Sequence, residues 1–317
     1  MRISALVTAL TVLATSALTA QVAEKPPSFT AEATMVRLSV AVTTKLKAPL
    51  AAADFTVYDN GQKQDISFFD TQSLPMDISL FVDTSGSLSV REKDTGLVHL
   101  LDGVAQSAKR FVNILKPGDR MEVIDFADRI VPLQDLTEDK EMLLLAIDRL
   151  SAGGQRTLLS RALYLKFDEL RRMAGDPAQP RRKVLVFITD AIDTGNDISE
   201  DTLRNKARQA EASVYMLALQ PTVLNQTAAD ESAAAQSRWL MQQLCKETGG
   251  AFLPALTPYD ISNLAKKISA EIAAEHTVGW APATPDSKDP WHTIQVAVRN
   301  VPGERLRYRN GYLAAKR

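Results

Sequence analysis

The sequence predicts an α/β protein: a doubly wound, mostly parallel sheet with β-strand segments on either side of it. Three observations carry this. From Met76 onward short apolar runs alternate with amphipathic stretches of helical length, the pattern of a parallel sheet joined by crossover helices. The runs Ile78-Ser79-Leu80-Phe81-Val82 and Val184-Leu185-Val186-Phe187-Ile188 are nearly continuous in apolar residues, as strands buried on both faces are. Outside this stretch the period changes to two, at Met35 to Val42 and again at Thr293 to Val298.

Taken in order, Met35 to Val42, Phe55 to Tyr58 and Ile66 to Phe69 read as strands, with Asp59-Asn60-Gly61 as a hairpin turn between the last two. After the strand ending at Val82 comes a helix closing near Leu115, stopped by Lys116-Pro117-Gly118-Asp119. Met121 to Phe126 is a strand. Ile130 to Leu133 is a short edge strand, because Pro132 cannot donate to a central ladder. Helices follow at Asp139 to Leu150 and Leu158 to Met173, then the strand from Val184 to Thr189. Glu200 to Gln209 reads as helix, Ser213 to Leu219 as strand and Ala229 to Glu247 as helix. A short strand at Ala251 to Leu253 and a helix from Asp260 to Glu275 close the alternating part. Val278 to Trp280, Thr293 to Val298 and Leu306 to Tyr308 are the final strands. Three strands alone make a marginal module, so those of both ends are expected to complete one β-sandwich around the α/β part. The expected division is 33–74 for an N-terminal β module, 75–276 for the α/β domain and 277–317 for a C-terminal β segment.

The residues with most to say are Asp83-Thr84-Ser85-Gly86-Ser87, where the first buried run stops. A carboxylate and two hydroxyls at every second residue offer three hard oxygens to one small cation, the ligands magnesium prefers. Hydroxyls are neutral, so an ion held mainly by them keeps charge with which to attract another molecule's carboxylate. Asp, Ser and Thr are also ordinary turn and cap residues. Position favours the metal, since ligand sites of open α/β sheets lie beyond the carboxyl ends of strands. Two more oxygen-bearing segments fall where such a site needs them. Gly153-Gly154-Gln155-Arg156-Thr157 precedes a helix that Thr157 would open, and Asp190 ends the second buried run.

Those three segments, in that order, resemble the von Willebrand factor A (vWA) domain and its metal-ion-dependent adhesion site. The resemblance implies a Rossmann-like fold in which Ser85, Ser87 and Thr157 bind Mg2+ (or Mn2+) directly in one state or another. Asp83 and Asp190 would bind it directly or through water. One departure is Ala191, where the family commonly has glycine; the Asp193-Thr194-Gly195-Asn196 turn that follows looks familiar. The flanks carry a likeness of their own. Phe55 to Gly61 with Phe68-Phe69, and the ending Arg307-Tyr308-Arg309-Asn310-Gly311-Tyr312, are similar to the exported VWFA-related Acidobacterial domain family. That family implies no general biochemical activity.

Composition sets limits around the site. The chain has 317 residues, 45% hydrophobic and 24% charged, ordinary for a soluble globular protein. A net charge of -1 supplies no broad field for nucleic acid or anionic lipid, so neither is an expected partner. Arg2, the apolar stretch Ala5 to Leu13 and the small residues up to Ala20 read as a signal peptide (1–20), with cleavage expected after Ala20. The alternative, a retained anchor, is short for a span and interrupted by Thr8 and Thr11. A polar leader with Pro26-Pro27 occupies 21–32. The expected location is secreted or periplasmic, with no membrane span in the mature chain. A single cysteine, Cys245, allows no internal disulfide and reads as a small buried residue on a helix.

No catalytic constellation appears. His99 on the first helix, His276 at a helix end and His292 in the tail have no zinc-ligand spacing, and no nucleophile elbow or Walker loop is present. Arg181-Arg182-Lys183 reads as a solvated strand entrance, and Asp230-Glu231 as a polar loop entering a helix. The expectation is therefore a non-enzymatic, exported, metal-dependent binding protein that takes an Asp or Glu of a protein ligand. The alternatives are a hydrolase using the same ion as Lewis acid, which needs a base the motifs do not supply, and a metal-free assembly scaffold. A cytoplasmic ATPase adaptor is disfavoured by the signal sequence.

Overall fold

The computed structural model describes residues 35–44, 46, 48–71, 74–86, 91–92, 96–97, 100–173, 179–195, 197–219, 228–256, 258–282 and 290–314. Ser87, His99, Asn196 and the segments expected to be signal peptide (1–20) and leader (21–32) lie outside them. In chain order the elements are β1 (Val36–Val42), β2 (Phe55–Asp59), β3 (Gln62–Gln64), β4 (Phe68–Asp70), β5 (Met76–Asp83) and the two-residue strands β6 (Arg91–Glu92) and β7 (Gly96–Leu97). Next come α1 (Leu100–Ile114), β8 (Arg120–Phe126), β9 (Ile130–Thr137), α2 (Lys140–Ile147), α3 (Leu159–Arg172), β10 (Arg182–Thr189) and α4 (Glu200–Ala210). The chain continues with β11 (Ala212–Leu219), α5 (Ala228–Glu247), β12 (Ala251–Ala255), α6 (Pro258–Ala273), β13 (His276–Trp280), β14 (Trp291–Val298), β15 (Leu306–Arg307) and β16 (Gly311–Leu313).

The central sheet has six strands in the order β12-β11-β10-β5-β8-β9, parallel except for β9. Its continuous apolar strands follow from having both faces covered. Ile78, Leu80 and Val82 of β5 join Val184, Val186 and Ile188 of β10 in a core shared with α1, α2 and α6. Phe81, Leu185 and Phe187 point the other way, into a core shared with α3, α4 and α5. Phe81 and Phe187 stack at 4.3 Å with rings 5° apart, and Phe126 meets both edge-on, so three neighbouring strands are locked in register. The chain leaves β5 for β8 on one side and, after β9, comes back to β10 on the other. The switch point of the topology therefore falls at the carboxyl ends of β5 and β10, where ligands of such sheets bind.

β9 is an edge strand carrying Pro132, longer than the four residues the sequence suggested. Thr157 does not cap α3. The cap position falls on Leu158, while Asp139 and Ser199 cap α2 and α4 with their side chains. Cys245 is buried on α5, and burial pushes its thiol up, as suits an inert core residue.

The flanking strands form two four-stranded sheets, β15-β1-β13-β4 and β16-β14-β2-β3, each drawing strands from both ends of the chain. Leu38, Val40, Val57, Val278, Trp280, Ile294 and Val296 fill the space between them. Asn60 and Gly61 take positive φ angles of 48° and 78°, as a two-residue hairpin turn requires. The strand this turn leads into is Gln62–Gln64, whose polar residues carry no alternation. Phe68–Asp70 instead crosses to the other sheet and pairs with β13. β16, absent from the sequence reading, pairs with the start of β14.

Both tail histidines lie in strands. His276 opens β13, rather than ending a helix, and is largely buried beside Phe55 and Phe69. His292 is buried in β14, its Nδ1 2.7 Å from Asp59 Oδ1, and Asp59 Oδ2 also accepts from Tyr312 Oη at 2.6 Å and Trp280 Nε1 at 3.2 Å. The basic triplet is likewise no solvated entrance. Arg181 pairs with Asp77 at 2.7 Å, Arg182 with Glu275 at 2.8 Å, and Lys183 donates to the Leu170 carbonyl at 3.0 Å. Asp230 and Glu231 sit exposed in the first turn of α5, already helix rather than loop.

Candidate functional site

Asp83 is the last residue of β5 and wholly buried. Its Oδ1 accepts from the Ser85 amide at 2.9 Å and its Oδ2 from the Thr189 hydroxyl at 2.6 Å, so the carboxylate cannot rotate. The neighbouring Thr84 donates its hydroxyl to Asp125 Oδ1 at 2.5 Å, tying the loop to β8.

The glycine loop closes against this turn through its backbone. Gly86 N–H donates to the Gly154 carbonyl at 2.6 Å, Gly153 N–H to the Thr84 carbonyl at 3.1 Å, and Ser85 bridges Gly154. A Cβ on Gly154 would lie 2.3 Å from that of Ala127, so only glycine allows the approach. Asp128 accepts the Gln155 and Arg156 amides at 2.9 and 2.7 Å and fixes the loop from its other side. Thr157, buried, then exchanges two bonds with Thr194: its amide donates to the Thr194 hydroxyl at 2.7 Å and its carbonyl accepts the Thr194 amide at 3.0 Å.

Asp190 follows β10 directly and is buried, with Oδ1 accepting the Ile192 amide at 2.9 Å. Ala191 adopts φ 59°, the left-handed region where glycine would be unstrained. Its amide donates to the Thr189 hydroxyl at 3.1 Å and its carbonyl accepts from the Ser237 hydroxyl at 3.0 Å. Ser237 also accepts the Asp193 amide at 2.9 Å, and Arg238 Nε donates to the Asp190 carbonyl at 3.2 Å. The loop thus keeps the glycine-like shape without the glycine.

Three loops at the carboxyl end of the sheet, bearing Asp83, Ser85, Thr157 and Asp190, are therefore bonded to one another. Burial pushes the Asp83 carboxyl up to about 7, the Asp190 charge adds to that, and the bonds from Ser85 and Thr189 oppose it. Two buried carboxylates on adjoining strand ends, Asp83 held by a hydroxyl and an amide, are a donor set that fits a hard divalent cation. Among the described residues no cluster of three His, Cys, Asp or Glu that could hold a metal ion forms. The D-x-S-x-S spacing and the terminal aspartate were visible in the sequence. Thr189, Ser237, Arg238 and Asp128 were not, because their role is to hold backbone groups of segments remote in sequence.

Residues 78–193 match the family model of the von Willebrand factor type A domain, so the chain carries a domain of that class. The matched stretch opens in β5 and ends in the Asp190 loop. Among solved structures, BatB from Bacteroides thetaiotaomicron is 14% identical, with 62% of this chain and 98% of that one covered and a TM-score of 0.45. Proximal thread matrix protein 1 from the mussel byssus, in a form with a zinc-occupied MIDAS motif, is 17% identical, with 68% and 49% covered and a TM-score of 0.47. The vWF domain of the type V pili tip protein Mfa5 from Porphyromonas gingivalis is 13% identical, with 63% and 97% covered and a TM-score of 0.43. No curated relative matches the chain. Among the described residues no helix is long and apolar enough to cross a membrane.

Proposed function

We propose that this protein is an exported binding module, of the VWFA-related Acidobacterial domain kind, that captures an Asp or Glu of a protein partner through Mg2+ or Mn2+. The observation that carries the reading is the buried Asp83 and Asp190 pair, drawn together by loops that also bring the hydroxyl-bearing residues Ser85 and Thr157. Asp83, Ser85, Thr157 and Asp190, with Ser87, would hold the ion. When bound, the ion supplies an electrophilic coordination position for the partner's carboxylate. The chain's own part is to keep that position dry and rigid: Asp128 and Thr194 fix the threonine loop, and Ser237 with Arg238 fixes the aspartate loop. The segment 1–20, read as a signal peptide, would deliver the protein outside the cytoplasm.

The test has two arms. Calorimetric titration of Mg2+ into wild type and Asp83→Ala should give binding only in wild type; equal heats refute the metal site. A partner captured from a cell-envelope extract with Mg2+ should then be released by a chelator.

A further inference from the structure

We infer that Thr189 is a positioning residue for the candidate ion site, joining its two carboxylate-bearing segments through one hydroxyl. The inference rests on the metal reading above and adds a residue that the D-x-S-x-S, threonine and aspartate pattern does not contain. Thr189 is the last residue of β10 and completely buried. Its hydroxyl donates to Asp83 Oδ2 at 2.6 Å and accepts the Ala191 amide at 3.1 Å. A hydroxyl has one proton to give and lone pairs to receive with, so both bonds are made at once without competition.

Each bond fixes a different half of the site. The first, with the Ser85 amide on Oδ1, sets the plane of the Asp83 carboxylate while leaving lone pairs for a further partner. The second holds the amide of Ala191, whose φ of 59° is unfavourable for a residue with a Cβ. Ala191 directly follows Asp190, so the angle at which Asp190 leaves the strand depends on that strained turn being held. The pairing of Val82 with Ile188 places Asp83 beside Thr189 across the strands, which is why this side chain can reach both. A valine there has the same shape and neither bond.

Such partners of metal ligands typically change affinity about 10- to 100-fold when removed. Mg2+ is the probe, titrated calorimetrically into full-length wild type, Thr189→Val and Thr189→Ser, with melting measured in chelator and in saturating Mg2+. The expected result is about 10- to 100-fold weaker Mg2+ binding in Thr189→Val, and wild-type affinity restored by the serine hydroxyl. If the valine variant does not fold, Thr189→Cys, which keeps bulk and weakens the donor, is read in the same way. Wild-type affinity in the valine or cysteine variant overturns the positioning role, as does a melting temperature that falls equally with and without Mg2+. Absence of Mg2+ binding in wild type overturns the metal reading itself, and this inference with it, a result distinguishable from the others.

Discussion

Asp77 and Asp83 stand on the same strand, six residues apart, and the fold treats them in opposite ways. Asp77, at the amino end of β5, takes two bonds from Arg120 at 2.9 and 2.8 Å and a third from Arg181 at 2.7 Å. Burial raises its carboxyl, and the bonds and charges of the two arginines outweigh that, leaving it below the ordinary value. Asp83, at the carboxyl end, is held by a hydroxyl and an amide, and burial with the Asp190 charge lifts it to about 7. Hydrogen bonds from neutral groups orient a carboxylate but do not neutralise it. At the amino end of the sheet Asp77 is thus neutralised by the chain's own arginines, whereas at the carboxyl end the bonds to Asp83 come from neutral groups, which a cation at the proposed site would complement.

The sharpest way to break that contrast is Asp83→Asn. It keeps the shape and most hydrogen-bonding capacity while removing the charge. Mg2+ affinity should fall by orders of magnitude, and the ion-free protein should melt higher than wild type because the cost of burying that charge, and its repulsion with Asp190, are gone. Differential scanning calorimetry in chelator checks the second half; a lower melting temperature would mean Asp83 is as well compensated as Asp77.

Asp77→Asn should do the reverse, losing about 1–2 kcal/mol of stability, since Arg120 is partly exposed and can turn to water, with Mg2+ affinity unchanged. Urea unfolding measures it. The same variant gives the pH dependence. A depressed carboxyl contributes stability that is present above its unfolded value and lost as pH falls through the folded one. The gap between wild type and Asp77→Asn should therefore narrow on going from about pH 5 to about pH 2. A gap that widens on acidification would reverse the sign assigned to this group.

The smallest expected effect belongs to Ala191→Gly. Relief of the left-handed strain favours glycine by roughly 1 kcal/mol, partly offset by its freedom in the unfolded chain. A urea midpoint equal to or slightly above wild type is expected, against a clear loss if the Ala191 methyl were needed for packing.

Much of this was legible beforehand because it is written in local chemistry. The period of the apolar residues gave the alternating strands and helices of the central sheet, and the flanking β segments, since burial on one face or two imposes that period directly. Asn60-Gly61 announced its turn because few other residues accept positive φ twice in succession. Asp83 and Asp190 were legible as candidate donors because they stand at the carboxyl ends of recognisable strands, and Ser85 and Thr157 because their hydroxyls follow the D-x-S-x-S spacing and a glycine pair ahead of a helix.

What only the tertiary structure decided concerns partners distant in sequence. The polar strand Gln62–Gln64 has no apolar period to betray it, and only pairing with β2 makes it a strand. Arg181 and Arg182 looked solvated because their counter-ions, Asp77 and Glu275, lie about a hundred positions away. His292 became a buried partner of Asp59 only when strands from opposite ends of the chain met. Thr189 is the same case at the candidate site: sequence places it beside Asp190, but only the pairing of β5 with β10 sets its hydroxyl against Asp83. Periodicity and donor chemistry are local properties of a chain, whereas the neutralisation of a buried charge depends on what folding brings within about 3 Å of it.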